Sequence, residues 1–474
     1  MARKKKEPVI VESVKIEKMA GEGKCLGHLP DERAVFVPYS APGDVLNIRL
    51  GRIRKAYAEG VIVDIVEPSP KRVEPRCEHF TICGGCKWQH IPYSIQLEGK
   101  QQQVYDQLER IGHLQIEEKR SILGAEEIYD YRNKLEYTFS NRRWRTNDEF
   151  QESYDETDVH AMDGLGFHIP GMFDKVLDIK ECHLQGEISN RIRLFIKAYC
   201  QTHEGYEFYN LRSHEGFMRT LMIRTSSLGE LMVVVVFAKE EETKRVALLS
   251  AIKKAFPEIT SLMYVINPKL NDSFSDLDVL PFAGEECIWE EMEGLKYKIG
   301  PKSFYQTNSR QALCLYEQVR ALADLKGDEL VYDLYTGTGT IASFVSRNAK
   351  KVIGIEYVPE AIEDARTNMA VNGLTNMEFF AGDMKDILTD DFVAEHGHPD
   401  LLITDPPRAG MHPDVVSTIL RTAPKRIVYV SCNPATQARD VELMAEQYKV
   451  IVTQPVDMFP HTSHVENILL LDRK

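Results

Sequence analysis

Three cysteines lie close together early in the sequence, and their spacing is typical of metal binding. Cys77, Cys83 and Cys86 are separated by five and two residues, and two glycines precede the last of them. A distant fourth thiol, Cys182, follows a predicted hairpin. This three-plus-one set favours a 4Fe-4S cluster, because tetrahedral zinc sites usually pair two short Cys-x2-4-Cys knuckles. Zinc stays open as the alternative, whereas the Cys-x3-Cys-x2-Cys spacing of radical enzymes does not occur here.

A further cysteine, Cys432, follows the apolar run 426–430 in the tetrapeptide Ser-Cys-Asn-Pro. A lone cysteine at the end of a strand is more often a packing residue than a nucleophile. A thiolate can, however, add to C6 of a uracil ring, which makes C5 enolate-like and reactive toward a methyl donor. This chemistry makes Cys432 a candidate nucleophile for methylation at C5.

Methylation at C5 also needs a base that removes the C5 proton, and Glu466 is the candidate. This residue stands directly before the apolar run 468–471. A carboxylate there costs desolvation energy unless it has a partner or a role. Burial beside an apolar base stack would raise its pKa toward the working pH, which suits proton abstraction. His464 is the alternative base, and the histidines near it can equally serve only to cap the strand.

A strand, turn and helix pattern over residues 331–342 carries two glycines that let the backbone approach a ligand closely. The next strand ends in Glu356, where a carboxylate can accept hydrogen bonds from ribose hydroxyls. These two features suit a nicotinamide cofactor as well as S-adenosylmethionine. Further along, Asp383 can lie near an adenine, and Asp405 opens an Asp-Pro-Pro-Arg turn that is typical of nucleic-acid methyltransferases. The sequence therefore predicts S-adenosylmethionine as the cofactor.

Three kinds of segment must position these residues, so the sequence predicts a multi-domain protein. Residues 1–68 hold short β-patterned runs broken by Gly and Pro, which predicts a small all-β, OB-like barrel. Residues 69–290 mix a helix with hairpins and form a predicted α+β central domain that carries the iron–sulfur cluster. Residues 291–474 alternate strand-like and helical runs, which predicts an α/β, Rossmann-like domain. The predicted elements include strands at 9–16, 34–37, 45–50 and 60–66, a helix at 94–110, hairpins at 166–180 and 220–237, and strands at 330–334, 352–355, 377–380, 401–404 and 426–430.

Composition limits the classes of function. The chain has 474 residues, 43% of them hydrophobic, and a net charge of −14 that argues against non-specific coating of nucleic acid. Its nine cysteines are too few and too uneven for a disulfide scaffold. No apolar run is long enough to cross a bilayer, and the basic run 3–6 leads into a strand pattern rather than a secretion signal. We therefore expect a cytoplasmic protein without membrane association.

Charge is distributed unevenly along the chain. The acidic stretch 148–158 is predicted to be an exposed loop. Local basic patches can bind RNA or can simply be solvated surface. These patches comprise Arg49, Arg52, Arg54 and Lys55; Lys71, Arg72 and Arg76; and Arg132, Lys134, Arg142, Arg143 and Arg145.

Together, the motifs resemble one family over nearly the whole chain, the RNA (uracil-5-)-methyltransferases of the RumA/TrmA type. The start of the chain resembles a TRAM domain, an RNA-binding barrel of RNA-modifying enzymes. The resemblance depends on Cys77-x5-Cys83-x2-Cys86, Ser303-Phe-Tyr-Gln-Thr-Asn308, Asp405-Pro-Pro-Arg408, Ser431-Cys-Asn-Pro434 and His461-x2-His464-Val-Glu466.

The resemblance implies a class I methyltransferase fold and a role for each matching residue. Cys432 would be the nucleophile and Glu466 the base that removes the C5 proton. The implied ligands of a structural 4Fe-4S cluster are Cys77, Cys83, Cys86 and Cys182. The implied contacts to S-adenosylmethionine are Gln306, Tyr335, Gly337, Thr340, Glu356, Asp383 and Asp405. Thr336 departs from the family, whose members often have cysteine there, and we expect no effect because the position is not catalytic.

The implied substrate is 23S ribosomal RNA, with 5-methyluridine as the product, because a TRAM-like start and a cluster together look more like the ribosomal RNA enzymes. Methylation of a transfer RNA is the alternative. An exocyclic amino methyltransferase would place an aromatic residue where this chain has Arg408. A non-enzymatic iron–sulfur RNA-binding protein would not need the intact cofactor loop or the pair of Cys432 and Glu466. We expect a monomer without a stable protein partner.

Overall fold

The computed structural model describes residues 8–146, 149 and 158–474. The basic run 3–6 and most of the acidic stretch 148–158 lie outside these residues, so the predictions made for them remain predictions. The chain forms two compact units. The first unit comprises Met1–Ile128, Pro406–Val416 and Tyr429–Lys474, and the second comprises Tyr129–Asp405 and Ser417–Val428.

The helices and strands alternate irregularly in the first half of the chain and regularly in the last third. Within the described residues, the strands are β1 Ile10–Met19, β2 Lys24–His28, β3 Ala34–Pro38, β4 Val45–Ile53, β5 Tyr57–Glu67, β6 Ile116–Lys119, β7 Lys134–Ser140, β8 Gly164–Ile169, β9 Met172–Asp178, β10 Met218–Thr225, β11 Leu231–Phe237, β12 Ser261–Ile266, β13 Leu280–Gly284, β14 Ile288–Met292, β15 Leu295–Ile299, β16 Leu330–Leu334, β17 Lys351–Glu356, β18 Met377–Ala381, β19 Leu401–Thr404, β20 Arg426–Ser431, β21 Tyr448–Val456 and β22 Glu466–Arg473. The helices are α1 Tyr93–Arg110, α2 Glu187–Thr202, α3 Glu242–Ala255, α4 Ser309–Ala323, α5 Thr340–Ser346, α6 Pro359–Val371, α7 Met384–Ile387, α8 Asp390–His396, α9 Pro413–Thr422 and α10 Pro434–Glu442.

A closed five-stranded barrel forms the start of the first unit, with the strand order β1-β2-β3-β5-β4. Its interior consists of alternate apolar residues, such as Val35 and Val37 on β3 and Leu46 and Ile48 on β4, which are all fully buried. The predicted small β-barrel is therefore confirmed. The sequence patterns found four of its strands and missed β2, in which a lysine and a glycine interrupt the apolar run.

The Pro-rich segment that follows the barrel is fixed to it by hydrogen bonds. The fully buried carboxylate of Asp44 accepts hydrogen bonds from the backbone N–H of Ser69 at 2.9 Å and from the Arg72 guanidinium at 2.8 Å. Asp44 thereby fixes the direction in which the chain leaves the barrel.

The remainder of the first unit includes α1, α10 and the paired strands β6, β21 and β22. Strand β21 pairs antiparallel with β22 and parallel with β6. The predicted helix at 94–110 is confirmed as α1. Strand β6 was not predicted, because its largely exposed sequence Ile-Glu-Glu-Lys has no apolar alternation.

The second unit contains two larger sheets and the two-stranded antiparallel sheet of β14 and β15. The first has the order β13-β12-β11-β10-β7-β8-β9, and it packs against α2 and α3 around a core that includes Tyr137, Phe139 and Val233. Both predicted hairpins are confirmed, as β8 with β9 and β10 with β11. The second sheet pairs β18, β17, β16 and β19 in parallel, which confirms the predicted parallel strands.

Two elements, α9 and β20, begin in one unit and end in the other. The predicted three-domain division at residues 1–68, 69–290 and 291–474 remains a prediction. Each compact unit combines segments that are far apart in the chain, so the units do not correspond to these three ranges. None of the helices in the described part of the chain is long and apolar enough to cross a membrane.

Candidate active site

The loop between β16 and α5 has a backbone that leaves space for a ligand. Tyr335, Gly337 and Gly339 all have positive φ angles, of 61°, 55° and 73°. At Gly339 a Cβ atom would lie 3.0 Å from atoms of Ala365 and Phe379, so a larger residue would require these neighbours to shift. At Gly337 a Cβ atom would meet nothing within 4 Å. The loop therefore turns tightly against its own unit at Gly339 and is open beside Gly337.

Glu356 fixes this loop from the neighbouring strand. Its carboxylate accepts hydrogen bonds from the backbone N–H of Gly337 at 3.1 Å and of Val358 at 3.0 Å. The side chain is half-buried at the end of β17. The structure thus brings together two residues that the sequence predicted for the same ligand.

Two carboxyl groups lie at the ends of adjacent strands of the same sheet. Asp333 is 1% exposed, and burial raises its pKa to about 7, with the nearby charge of Glu356 adding to the shift. Burial also raises the pKa of Asp405, and the charge of Asp333 adds to that shift. Asp405 was predicted as a site residue and Asp333 was not. An acidic residue inside the apolar strand 330–334 was the available signal.

Thr336 contacts one of these two carboxyl groups directly. Its hydroxyl donates a hydrogen bond of 2.5 Å to Asp333, and this bond lowers the pKa of Asp333 against the larger effect of burial. The contact was not predicted, and the expectation that the residue type at this position has no effect remains an expectation.

Two other predicted cofactor residues, Asp383 and Thr340, also lie in the second unit. Asp383 caps the N-terminus of α7, where its carboxylate accepts a hydrogen bond from the N–H of Lys385 at 3.2 Å. The N–H of the preceding Gly382 donates to the carbonyl of Glu356 at 2.8 Å, so Asp383 lies at the same strand ends as Glu356. Thr340 is 8% exposed, and its hydroxyl lies 3.2 Å from that of Thr338.

Gln306 lies in a loop that is fixed from the larger sheet of the second unit. The side-chain amide of Asn133 donates to the carbonyl of Gln306 at 2.9 Å. The guanidinium of Arg224 donates to the carbonyls of Gly300 at 3.0 Å and Ser303 at 3.1 Å. Burial lowers the pKa of Arg224 to about 10. Sequence reasoning missed both supporting residues, because each lies more than 70 residues from the loop it holds.

Cys432 occupies the turn between β20 and α10 in the first unit and is half-buried. Its neighbours shape the turn, since the hydroxyl of Ser431 accepts from the N–H of Asn433 at 3.1 Å and the Asn433 side chain accepts from Ala435 at 3.2 Å. The Asn433 amide also donates to the carbonyl of Arg408 at 3.1 Å. The thiol therefore stands in a fixed turn beside the loop that follows Asp-Pro-Pro.

Glu466 is the first residue of β22, opposite Val456 on β21, and is only 6% exposed. His464 is exposed. Of the two candidate bases, Glu466 is the buried one.

A pair of buried amides joins the segments that carry Cys432 and Glu466. On α10, Gln437 donates to the carbonyl of Asn467 at 3.1 Å, and its own side-chain oxygen accepts from the Asn467 amide at 2.8 Å. Both side chains are fully buried. The start of α10 and the start of β22 are therefore held in a fixed relation within the first unit.

The predicted metal ligands are divided between the units. Cys77, Cys83 and Cys86 are half-buried in one loop of the first unit. Cys182 belongs to the second unit, where Asn190 binds both its N–H and its carbonyl, at 3.0 and 3.2 Å. Among the described residues, no group of three or more His, Cys, Asp or Glu side chains is placed to hold a metal ion. The structure thus does not show the predicted cluster.

Comparison with known proteins shows which family this chain belongs to. Residues 290–474 match the tRNA (Uracil-5-)-methyltransferase family, and residues 5–63 match the TRAM domain. Uncharacterized RNA methyltransferases of Porphyromonas gingivalis and Bacteroides thetaiotaomicron are 60% and 57% identical, over 97% and 96% of this chain and 99% and 100% of their own. The crystal structure of Pyrococcus abyssi tRNA (uracil-54, C5)-methyltransferase in complex with S-adenosyl-L-homocysteine is similar with a TM-score of 0.74 and 30% identity, over 97% of this chain and 100% of that one. The chain belongs to the S-adenosylmethionine-dependent RNA (uracil-5-)-methyltransferase family.

Proposed function

We propose that this chain methylates C5 of a uridine in structured RNA, with Cys432 as the covalent nucleophile and Glu466 as the base. The observation that supports this proposal most strongly is the buried amide pair of Gln437 and Asn467, which fixes the segments of both residues relative to each other. A thiol in a strand-to-helix turn and a shielded carboxylate are the two groups that the chemistry requires.

In this mechanism the Cys432 thiolate forms a bond to C6 of the uracil, and the electrons of the C5–C6 double bond move toward the C4 carbonyl. S-adenosylmethionine supplies the methyl group from its sulfonium centre. The enolate-like C5 takes that methyl group, and S-adenosylhomocysteine is the leaving group. The Glu466 carboxylate then removes the proton from C5, the double bond re-forms, and the thiolate is expelled.

RNA that carries 5-fluorouridine at the target position should trap a covalent complex with the wild-type protein. Fluorine cannot leave as a cation, so the adduct survives denaturing electrophoresis. Cys432→Ala should form no detectable adduct, whereas the matched variant Cys314→Ala should trap RNA like the wild type. Equal trapping by Cys432→Ala, or methylation by the wild type without any trapping, would contradict the mechanism.

Glu356 is proposed to bind the ribose of S-adenosylmethionine while it holds the N–H of Gly337. Charge-assisted hydrogen bonds contribute about 1.5–3 kcal/mol, so Glu356→Ala should weaken binding roughly 10- to 100-fold. Isothermal titration calorimetry with S-adenosylhomocysteine measures this change. Glu360→Ala, at an exposed position four residues later, is the control. If the two variants bind S-adenosylhomocysteine with equal affinity, Glu356 does not contribute to the cofactor site.

We propose 23S ribosomal RNA as the substrate and keep transfer RNA as the second candidate. The Pyrococcus abyssi protein supports the second candidate, because that transfer RNA enzyme resembles this chain over 97% of its length. The barrel and the segment after it are therefore compatible with either class of RNA. The local basic patches suit phosphate contacts in both.

Unmethylated transcripts of the two RNA classes distinguish these candidates. With radiolabelled S-adenosylmethionine, we expect 5-methyluridine in the 23S transcript at a kcat/KM at least about 10 times that for transfer RNA, a difference of about 1.4 kcal/mol. A transfer RNA in which uridine 54 is replaced by cytidine is the control. If transfer RNA is methylated efficiently and the control transfer RNA is not, transfer RNA is the substrate instead of 23S ribosomal RNA.

We also propose that Cys77, Cys83, Cys86 and Cys182 bind a 4Fe-4S cluster with a structural role. The three thiols of the loop share one short segment. The ligand set is thiolate alone, which suits iron–sulfur chemistry.

Anaerobic purification should give brown protein with about four irons per chain. Cys83→Ser should lose both the colour and the iron, whereas Cys287→Ser, at a cysteine outside the proposed set, should keep them. A colourless wild-type protein with one zinc would overturn the assignment. Cytoplasmic location and a monomeric state also remain proposals.

A further inference from the structure

We propose that Gln96 and Lys100, on the buried face of α1, are positioning residues for Glu466. They hold the segment 457–461, which connects β21 to the residues directly before Glu466. This inference rests on the proposed role of Glu466 as the base. All the residues that carry it belong to the first unit.

The first contact is a fully buried ion pair. The Lys100 ammonium lies 2.6 Å from the Asp457 carboxylate, and both side chains have no solvent exposure. Lys100 also donates to the carbonyl of Phe459 at 3.0 Å. The Tyr93 hydroxyl donates to the second oxygen of Asp457 at 2.9 Å. A charge pair removed from water gains little net stability over apolar packing, so its main effect here is to select one geometry of the segment.

The second contact holds His461. The side-chain nitrogen of the fully buried Gln96 lies 3.1 Å from the Nδ1 atom of His461, and its oxygen accepts from the His461 N–H at 2.9 Å. The backbone of His461 has a positive φ of 65°. Such a conformation costs about 1–3 kcal/mol for a residue with a side chain and persists only where the surroundings enforce it. Gln96 supplies part of that enforcement.

The cysteine loop contacts the same residue from the other side. The N–H groups of Lys87 and Trp88, which directly follow Cys86, donate to the carbonyl of His461 at 2.7 and 3.1 Å. The Gln96 amide donates to the carbonyls of Trp88 at 3.0 Å and Ile91 at 2.8 Å. Helix α1 and the end of the cysteine loop therefore hold His461 together.

The connection between these contacts and the base is short. In the β21–β22 pair, Val456 lies opposite Glu466, so residues 457–465 form the whole connection between the two strands. With residues 457, 459 and 461 fixed, the remaining residues have little freedom before β22 begins. Loss of the Gln96 or Lys100 contacts should therefore displace the Glu466 carboxylate while the turn at Cys432 keeps its own hydrogen bonds.

The test separates methyl transfer from proton removal. A displaced base slows the last step only, so Gln96→Leu and Lys100→Met should still transfer the methyl group to ordinary uridine RNA in a single turnover. A denaturation-resistant, methylated protein–RNA adduct should then accumulate at least about tenfold above the wild type, as it should in Glu466→Gln. The rate of multiple-turnover methylation should fall by about the same factor.

Gln102→Leu is the matched control, because Gln102 is exposed on the same helix. It should behave like the wild type. Circular dichroism identifies a variant that does not fold, and Gln96→Leu decides the outcome if Lys100→Met is unfolded. Folded variants that lose single-turnover transfer and multiple turnover equally, without adduct, would overturn the positioning role. Failure of the wild type itself to trap 5-fluorouridine RNA would instead overturn the proposed function.

Discussion

Two buried amides, Gln437 and Asn467, connect four elements of the first unit. Gln437 donates to the carbonyls of Tyr429 on β20 and Asn467 on β22, and Asn467 accepts from the Thr453 hydroxyl on β21 at 2.9 Å. Every polar atom of this pair has a partner, which makes such a network rigid and selective for one arrangement. The positions of Cys432 and Glu466 both depend on it, because each lies within a few residues of one of these amides.

Charged side chains fix neighbouring segments in the same way. Lys100 and Asp457, which lies in the segment before Glu466, form a fully buried ion pair. On α10, Asp440 accepts hydrogen bonds from the Tyr429 hydroxyl at 2.7 Å and from the N–H of Met411 at 2.8 Å. Apolar side chains would provide comparable stability without the fixed directions of these hydrogen bonds. A reaction in which one carboxylate must reach one proton requires a single packing, and buried polar groups with fixed directions provide it.

The sequence predicted those features that depend on local pattern. Strands 330–334 and 401–404 were located to the residue, because buried parallel strands are continuous apolar runs between turn residues. The site residues at strand ends were found for the same reason. The ion pair of Lys100 with Asp457 joins residues 357 positions apart, and no local pattern signals such a partner. Strand β6 was missed because its pairing with β21 is likewise a property of the tertiary fold.

Thr336 shows how a contact changes the interpretation of a sequence difference. Its hydroxyl donates to Asp333, and a hydrogen bond to a carboxylate favours the ionised form. A cysteine thiol, which relatives often have at this position, is a weaker donor and would leave the carboxyl more readily protonated. Asp333 in turn influences Asp405, since the charge of one raises the pKa of the other.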